Sequence, residues 1–177
     1  MHARDLITAD IPPLRPQDEV GRALDWMEEF KVAHLPVVED QRLVGLVKDM
    51  DLVDLNDPRG TVNDVMERVA LPFARGGQHI YEVMKLFSER GLTVVPVLDD
   101  MGLYLGSITE HEALHRLAEI TNIHEIGSIV VLEMNQVDYS LHAIARIVEG
   151  NGGKVLSVYT HSLPDSVRVE VTLKINR

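Results

Sequence analysis

The sequence contains no cysteine, few aromatic residues and no long apolar run. The lack of cysteine among 177 residues excludes disulfide bonds, thiolate nucleophiles and cysteine-based zinc sites. The longest apolar runs, such as residues 129–132, are far shorter than the roughly 20 residues of a membrane-spanning helix. The first residues also lack the apolar stretch of a signal peptide. We therefore expect a cytoplasmic protein that has no membrane partner.

Basic residues are scarce as well. The chain has 17 lysines and arginines against 28 aspartates and glutamates, which gives a formal net charge of −11. A protein that binds nucleic acid needs a concentrated basic surface to neutralise phosphates, and no segment of this sequence supplies one. We therefore expect no nucleic-acid partner.

An internal repeat organises most of the chain. The segment AHLPVVEDQRLVGLVKDMDL at residues 33–52 returns as TVVPVLDDMGLYLGSITEHEAL at residues 93–114. Pro36 and Pro96 lie 60 positions apart, whereas Gly45 and Gly106 lie 61 apart, because the second copy has one extra residue in its turn. Further upstream, DLIT at residues 5–8 matches DVME at residues 64–67. We infer two copies of one unit, at residues 1–60 and 61–120.

The periodicity of apolar residues predicts the same elements in both copies. Apolar residues recur every three or four positions in residues 20–30 and again in residues 80–87, which indicates two amphipathic helices. Each helix is followed by two short apolar strands joined by a polar turn, and then by a second helix with acidic residues at its start. The prediction is an α/β (α+β) fold with two β-α-β-β-α units.

A proline lies within the first strand of each hairpin, at Pro36 and Pro96. Proline has no N–H to donate to a neighbouring strand, so these strands are predicted to be edge strands or interrupted ones. Two interpretations remain open. The prolines end the preceding loop, or they mark a place where a ligand meets exposed backbone.

These residues resemble a tandem pair of CBS domains, a regulatory module related by a pseudo-two-fold axis. The resemblance rests on DLIT with residues 14–52 and on DVME with residues 80–114. It implies two clefts that hold an adenosine-containing ligand, such as AMP, ADP, ATP or S-adenosylmethionine. It also implies a homodimer that regulates rather than catalyses and that requires no cofactor.

The family pattern of glycine, two apolar residues, Ser or Thr, any two residues and Asp assigns candidate ligand contacts. The second copy carries Thr109 and Glu112 at the last two fixed positions, and the first copy carries Lys48 and Asp51. By the resemblance, Glu112 and Asp51 would accept hydrogen bonds from ribose hydroxyls, while Thr109 and Lys48 would bind phosphate. The adenine pocket is assigned by position alone: Ile11, Leu35 and Pro36 in one cleft, and Ala70, Val95 and Pro96 in the other.

Residues 121–177 form a different unit, predicted as strand, helix, strand, strand. This order resembles the first part of an ACT domain, a ferredoxin-like module, and the chain ends before a second helix and a fourth strand. The predicted first turn, residues 135–140, lacks the glycine found where ACT domains meet an amino acid. A partner chain or a longer natural protein would complete this sheet, and its open edge leads us to expect association.

Other functions are less well supported by the sequence. His111 and His115 have the i, i+4 spacing of a helical metal site, but they border the apolar stripe of the helix, and we expect no metal. No segment has the pattern of a nucleophile elbow, and we expect no enzyme. A ligand-free module for dimerisation and support remains the alternative to a nucleotide sensor.

Overall fold

The computed structural model describes residues 1–55, 57 and 59–177. The chain divides into two compact units, Met1–Arg116 and Leu117–Arg177, and each is described by itself below. No helix formed by the described residues combines the length and apolarity that a membrane crossing requires.

The first unit contains both copies of the repeat, as predicted. The first copy consists of helix α1 (Val20–Phe30), strands β1 (His34–Glu39) and β2 (Arg42–Lys48), and helix α2 (Asp49–Asp54). The second copy consists of strand β3 (Ala74–Arg75), helix α3 (Ile80–Arg90), strands β4 (Val94–Leu98) and β5 (Tyr104–Thr109), and helix α4 (Glu110–Ile120). Each copy begins with a short 3-10 helix, at Ala3–Leu6 and Val62–Asp64.

The repeated aspartates Asp5 and Asp64 cap these 3-10 helices. The backbone N–H of His2 donates to Asp5 Oδ2 at 2.8 Å, and that of Thr61 donates to Asp64 Oδ2 at 3.0 Å. Each carboxylate therefore satisfies a backbone donor that the start of a helix leaves unpaired. The match between DLIT and DVME thus reflects a capped 3-10 helix that both copies share.

The strand predicted before α1 is reduced to one residue, which corrects the predicted β-α-β-β-α order in the first copy. Leu14 forms a single parallel bridge to Val37, whereas the second copy has the two-residue strand β3, in which Ala74 pairs with Val97. The two pairings are equivalent, because Leu14 and Ala74 lie 60 positions apart, as do Val37 and Val97. Pro12, Pro13 and Pro16 surround Leu14, and prolines cannot donate to a longer ladder.

Neither repeat proline lies at a position where a neighbouring strand needs an N–H donor. Leu14 N–H donates to Pro36 O at 2.9 Å, so the nitrogen of Pro36 also faces the side of the strand that has only this bridge. Pro96 lies in β4, the central strand of the order β3-β4-β5, but β3 pairs only with Val97 and Leu98. Of the two predictions for Pro96, the interrupted strand is therefore correct and the edge strand is wrong.

The amino-terminal segment of each copy pairs with the other copy. Thr8 N–H donates to Ser107 O at 3.0 Å beside β5, and Leu46 N–H in β2 donates to Glu67 O at 3.0 Å. Ser107 and Leu46 lie 61 positions apart and occupy the same place in the repeat. This reciprocal exchange places the residues that follow Thr8 next to the end of β5.

The two copies also share a core. The first four residues of β1 and all five of β4 are buried, and Val94 of the second copy packs within the main apolar cluster of the first. The backbone N–H of Ala33 donates to Thr93 Oγ1 at 2.9 Å across the junction. Burial of this apolar surface at roughly 25 cal/mol per Å² is the main contribution that holds the copies together.

The second unit has the predicted order of strand, helix, strand, strand. Strand β6 (Ser128–Asn135) is followed by a 3-10 helix (Gln136–Asp138), helix α5 (Leu141–Gly150), and strands β7 (Val155–Ser162) and β8 (Arg168–Ile175). The sheet has the order β6-β8-β7, and both pairings are antiparallel. The buried side chains of β8, Val169, Val171 and Leu173, form a small core with Ile144 of α5.

Candidate functional site

The first unit contains a cavity of about 590 Å³ that lies between segments of both copies. Its lining comes from the segment after the first 3-10 helix, the end of α1, the residue before β4, and the start of α4. These residues are Thr8, Asp10, Ile11, Phe30, Lys31, Val32, Thr93, Thr109, Glu110, His111, Glu112 and Leu114.

Thr109 stands at the junction of β5 and α4 and caps the helix. Its Oγ1 accepts a hydrogen bond from the backbone N–H of Glu112 at 3.0 Å. The hydroxyl hydrogen is not used by this bond and can donate to a ligand, because a threonine hydroxyl both donates and accepts. The same interaction is a helix cap, so Thr109 has a structural role whether or not a ligand binds.

Glu112 is held by an ion pair with Arg116, one helical turn further along α4. Arg116 Nε lies 2.7 Å from Glu112 Oε1, and the two side chains are 37% and 25% exposed. Because the guanidinium engages one carboxylate oxygen, it fixes the direction of the longer glutamate side chain. This pair holds the glutamate at the position where the family pattern has aspartate.

The opposite part of the lining comes from residues 8–11. Thr8 Oγ1 donates to Asp10 Oδ2 at 3.0 Å, and Asp10 N–H donates back to Thr8 Oγ1 at 3.2 Å. Ile11 is 5% exposed and supplies an apolar contact. The structure thus brings the predicted Ile11, Thr109 and Glu112 to one cavity.

The sequence analysis did not identify Thr8, Asp10 or Thr93 as lining residues. The exchange of amino-terminal segments brings Thr8 and Asp10 to α4, which lies about one hundred residues later in the chain. Thr93 reaches the site through the pairing of the two copies. The only sequence signal was the repeated DLIT segment, of which Thr8 is the last residue.

The corresponding position in the first copy has different chemistry. Lys48 Nζ lies 3.6 Å from Glu67 Oε2, and both side chains are 46% exposed. Asp51 is exposed in the first turn of α2. Neither Lys48 nor Asp51 lines the 590 Å³ cavity. The start of α4, with Glu112, therefore lines this cavity, whereas the start of α2, with Asp51, does not.

The residues predicted for the adenine pocket are only partly on this cavity. Leu35 and Val95 are 0% exposed, and Pro36 and Pro96 are buried in the same strands. None of these four residues is in the lining of this cavity, and their assignment to adenine stays a prediction. Ala70 is exposed and has a φ of 52°, also away from this lining.

His34 is a buried titratable group at the junction between the copies. It is 8% exposed, and its Nδ1 accepts from Thr93 N–H at 3.3 Å and lies 3.1 Å from Thr93 Oγ1. Burial lowers the pKa of His34 below its ordinary 6.5, and the Lys48 ammonium lowers this pKa further. Thr93 thus links a neutral imidazole to the cavity wall.

Metal binding has no support in the part of the chain that the structure describes. No group of three or more histidine, aspartate or glutamate side chains is arranged there to hold an ion. His111 lines the 590 Å³ cavity beside Glu112.

The family model for the CBS domain matches residues 3–56 and residues 62–119. These two matches cover more than half of the 177 residues. The chain belongs to the CBS-domain family. The predicted tandem pair is thereby confirmed, and the two matched CBS domains correspond to the two copies that form the first unit.

Solved CBS-domain structures share the fold. A CBS domain pair/ACT domain protein from Thermotoga maritima has a TM-score of 0.60 and 24% identity, covering 67% of this chain and 98% of that one. CBSX2 in complex with AMP has a TM-score of 0.59 and 26% identity, covering 67% and 97%. The cytosolic domain of the Mg²⁺ channel MgtE in complex with ATP has a TM-score of 0.55 and 26% identity, covering 65% and 48%.

Curated relatives are much longer proteins. Inosine-5'-monophosphate dehydrogenase from Methanocaldococcus jannaschii is 29% identical over 64% of this chain and 23% of its own length. The enzyme of the same name from Bacillus subtilis is 26% identical over 90% of this chain and 34% of its own length. The chain therefore spans about a third or less of these relatives.

Proposed function

We propose that this CBS-domain protein is a non-catalytic regulator that binds an adenosine-containing ligand in the 590 Å³ cavity. The observation that carries the proposal is the convergence of Thr109, Glu112 and Ile11 on one cavity built from both copies. A ligand held there would contact both CBS domains and would favour the arrangement that closes on it.

The ribose is assigned to Glu112. An ionised carboxylate accepts hydrogen bonds from two vicinal hydroxyls with charge assistance. Since Arg116 engages Oε1, the second oxygen of Glu112 remains available to the ribose. The hydroxyl of Thr109 is assigned to phosphate, and Ile11 is assigned to the purine. The AMP-bound and ATP-bound relatives support the ligand class.

The first-copy cleft is proposed as a weaker second site, with Asp51 for ribose and Lys48 for phosphate. Here Glu67 occupies the place beside β2 that Thr8 occupies beside β5. Its carboxylate pairs with Lys48 and would oppose an incoming phosphate of the same charge. The other predicted adenine contacts, Leu35, Pro36, Ala70, Val95 and Pro96, stay proposals for the two clefts.

We also propose that the protein forms a homodimer. Met50 and Val53 on α2 are 72% and 61% exposed, and Leu114 on α4 is 60% exposed. Strand β6 pairs with β8 along one edge, and no described residue pairs with its other edge. The ACT-like interpretation of residues 121–177 provides a second surface for association through this open edge. Light scattering measures the mass directly.

Titration calorimetry with AMP, ATP and S-adenosylmethionine tests the ligand proposal. We expect saturable binding of at least one ligand and a loss of roughly tenfold or more in affinity for Glu112→Gln, because the variant removes a charged acceptor. Glu82→Gln, an exposed residue on α3, is the matched control for charge. Absence of binding by all three ligands, together with an intact dimer, would favour the alternative of a ligand-free dimerisation module.

A further inference from the structure

The second unit contains a cavity of about 430 Å³, which lies within the size range of small-molecule sites. It is formed by one face of the sheet of β6, β7 and β8, by the end of α4 and by the turn that follows α4. Its lining residues are Leu117, Thr121, Ile123, Ile129, Ser157, Tyr159, Thr172, Leu173 and Lys174. All of them belong to the unit Leu117–Arg177.

Register places the strand residues of this lining in two adjacent rows. Ile129 and Ser157 both pair with Lys174, and Tyr159 pairs with Thr172 on the same central strand. Alternate residues of a strand share one face, so Lys174 and Thr172 project from the same face of β8. Val171 and Val169 project from the other face and pack in the core that includes α5. The cavity therefore lies on the face opposite α5.

Thr172 is an unpaired polar group in this cavity. It is 7% exposed, yet its hydroxyl has no hydrogen-bond partner among residues 1–55, 57 and 59–177. Over the same residues, every fully buried side-chain oxygen has a partner, so the hydroxyl of Thr172 must be open to the cavity. Because a threonine hydroxyl both donates and accepts, this one can donate to a ligand atom in the cavity.

The charges of the lining select the class of ligand. Lys174 supplies an ammonium that forms no ion pair with any described residue, and the described lining contains no carboxylate. The hydroxyls of Thr121 and Ser157 already donate to the backbone oxygens of Leu117 and Thr121, at 2.7 and 2.8 Å. The donors left free by the described residues are thus Lys174, Thr172 and the hydroxyl of the 60% exposed Tyr159, and the remaining surface is mainly apolar.

We propose that this cavity binds a small monocarboxylate with an apolar body. The carboxylate pairs with Lys174 and accepts from the Thr172 hydroxyl, while the apolar body lies against Leu117, Ile123 and Ile129. A free amino acid fits less well, because its ammonium would meet Lys174 and would find no acidic partner in the lining. This site is independent of the adenosine-ligand proposal.

Titration calorimetry of the full chain with octanoate tests the proposal, with octanamide as the neutral ligand of matched size. We expect one saturable octanoate site, at least tenfold weaker binding of octanamide, and similar weakening in Lys174→Met, which keeps an apolar stem. Thr172→Val removes the hydroxyl at nearly constant shape and is expected to weaken octanoate binding by a smaller factor. Methyl NMR locates the ligand: Ile123 and Ile129 should shift, whereas Ile80 and Ile108 in the first unit should not.

Each alternative result overturns the proposal. Equal binding of octanoate and octanamide would show that charge recognition is absent, and this comparison does not depend on any variant folding. Octanoate affinity that is unchanged in a folded Lys174→Met protein would show that Lys174 does not bind the carboxylate. Shifts of the Ile123 and Ile129 methyls on simple dilution, without octanoate, would show that a second copy of the chain covers this face.

Discussion

The Oγ1 atom of Thr109 accepts the backbone N–H of Glu112 at 3.0 Å, at the point where β5 becomes α4. One bond thereby caps the helix and fixes the two side chains that are assigned to phosphate and ribose. Thr109→Val should remove both effects, because valine has a similar shape but no acceptor. We expect a loss of about 1 kcal/mol in the free energy of unfolding and weaker AMP binding.

Urea denaturation and calorimetry on the same samples measure the two effects. Thr109→Ser keeps the hydroxyl and is the matched control, with stability and AMP affinity expected near those of the unaltered protein. A Thr109→Val protein that loses stability but binds AMP normally would limit Thr109 to a helix cap.

Arg116 should contribute to AMP affinity by positioning Glu112. Arg116→Gln removes the guanidinium 2.7 Å from Glu112 Oε1 and releases the glutamate to other rotamers. We expect AMP to bind severalfold more weakly, while stability changes by less than about 1 kcal/mol, since the pair is partly exposed to solvent. If Glu112→Gln is already present, Arg116→Gln should add little further loss, and additive effects in this double-mutant cycle would contradict the positioning role.

Gly106 should be essential for the close contact between Ile7 of the first copy and β5. Its φ is 149°, a backbone conformation that residues other than glycine rarely adopt. An added Cβ would also collide with Ile7 Cγ2. We expect Gly106→Ala to lower the free energy of unfolding by about 1–3 kcal/mol and to weaken AMP binding. Gly77→Ala is the control, because its Cβ would meet only Arg4 Nη2 at 3.6 Å.

A second substitution separates collision from backbone strain in Gly106→Ala. Ile7→Ala removes the side chain that the new Cβ meets, so the double variant should recover part of the lost stability. Thermal unfolding of the four proteins measures this recovery. No recovery would show that the conformation of residue 106 alone accounts for the loss.

His34 should make the protein less stable as pH falls below about 6.5. Its pKa is lowered in the folded state, so the unfolded chain takes up the proton first in the window that extends downward from the ordinary value of 6.5. In this window the unfolded state binds more protons, and the free energy of unfolding therefore rises with pH. Lys48 adds to the lowering of the pKa, while Asp49, Asp51 and Glu67 oppose it.

Urea denaturation at pH 5.5 and 7.5 tests this expectation. His34→Asn can keep an acceptor for Thr93 but cannot be protonated in this range, so the difference in stability between the two pH values should be smaller. The variant His161→Asn, on an exposed histidine of β7, is the control and should keep the original difference. An identical pH dependence in His34→Asn and the unaltered protein would contradict the assignment.

Most of the fold could be predicted, because the repeat is visible in local patterns of apolar residues. The apolar positions that begin at Val20 and Ile80 predicted α1 and α3, and the strand pairs followed from the alternation around Pro36 and Pro96. Thr109 and Glu112 could be placed at one helix start because they are only three residues apart. Such short-range relationships depend on backbone geometry that the sequence pattern directly reflects.

The parts that escaped prediction depend on contacts between distant segments. The pairing of Thr8 with Ser107 joins residues 99 positions apart, and no local pattern reports it. The same exchange brings Asp10 to the cavity. Leu35 and Val95 are completely buried, and this burial depends on how the two copies pack against each other, which periodicity does not describe.

The structure of the complex with AMP tests the central claim most directly. Crystals of the full chain grown with AMP should show one nucleotide between the Thr8–Ile11 segment and the start of α4. The ribose hydroxyls should lie within hydrogen-bond distance of the Glu112 carboxylate, and the phosphate should lie near Thr109. A nucleotide bound elsewhere, or one bound in this cavity without contact to Glu112, would contradict the account.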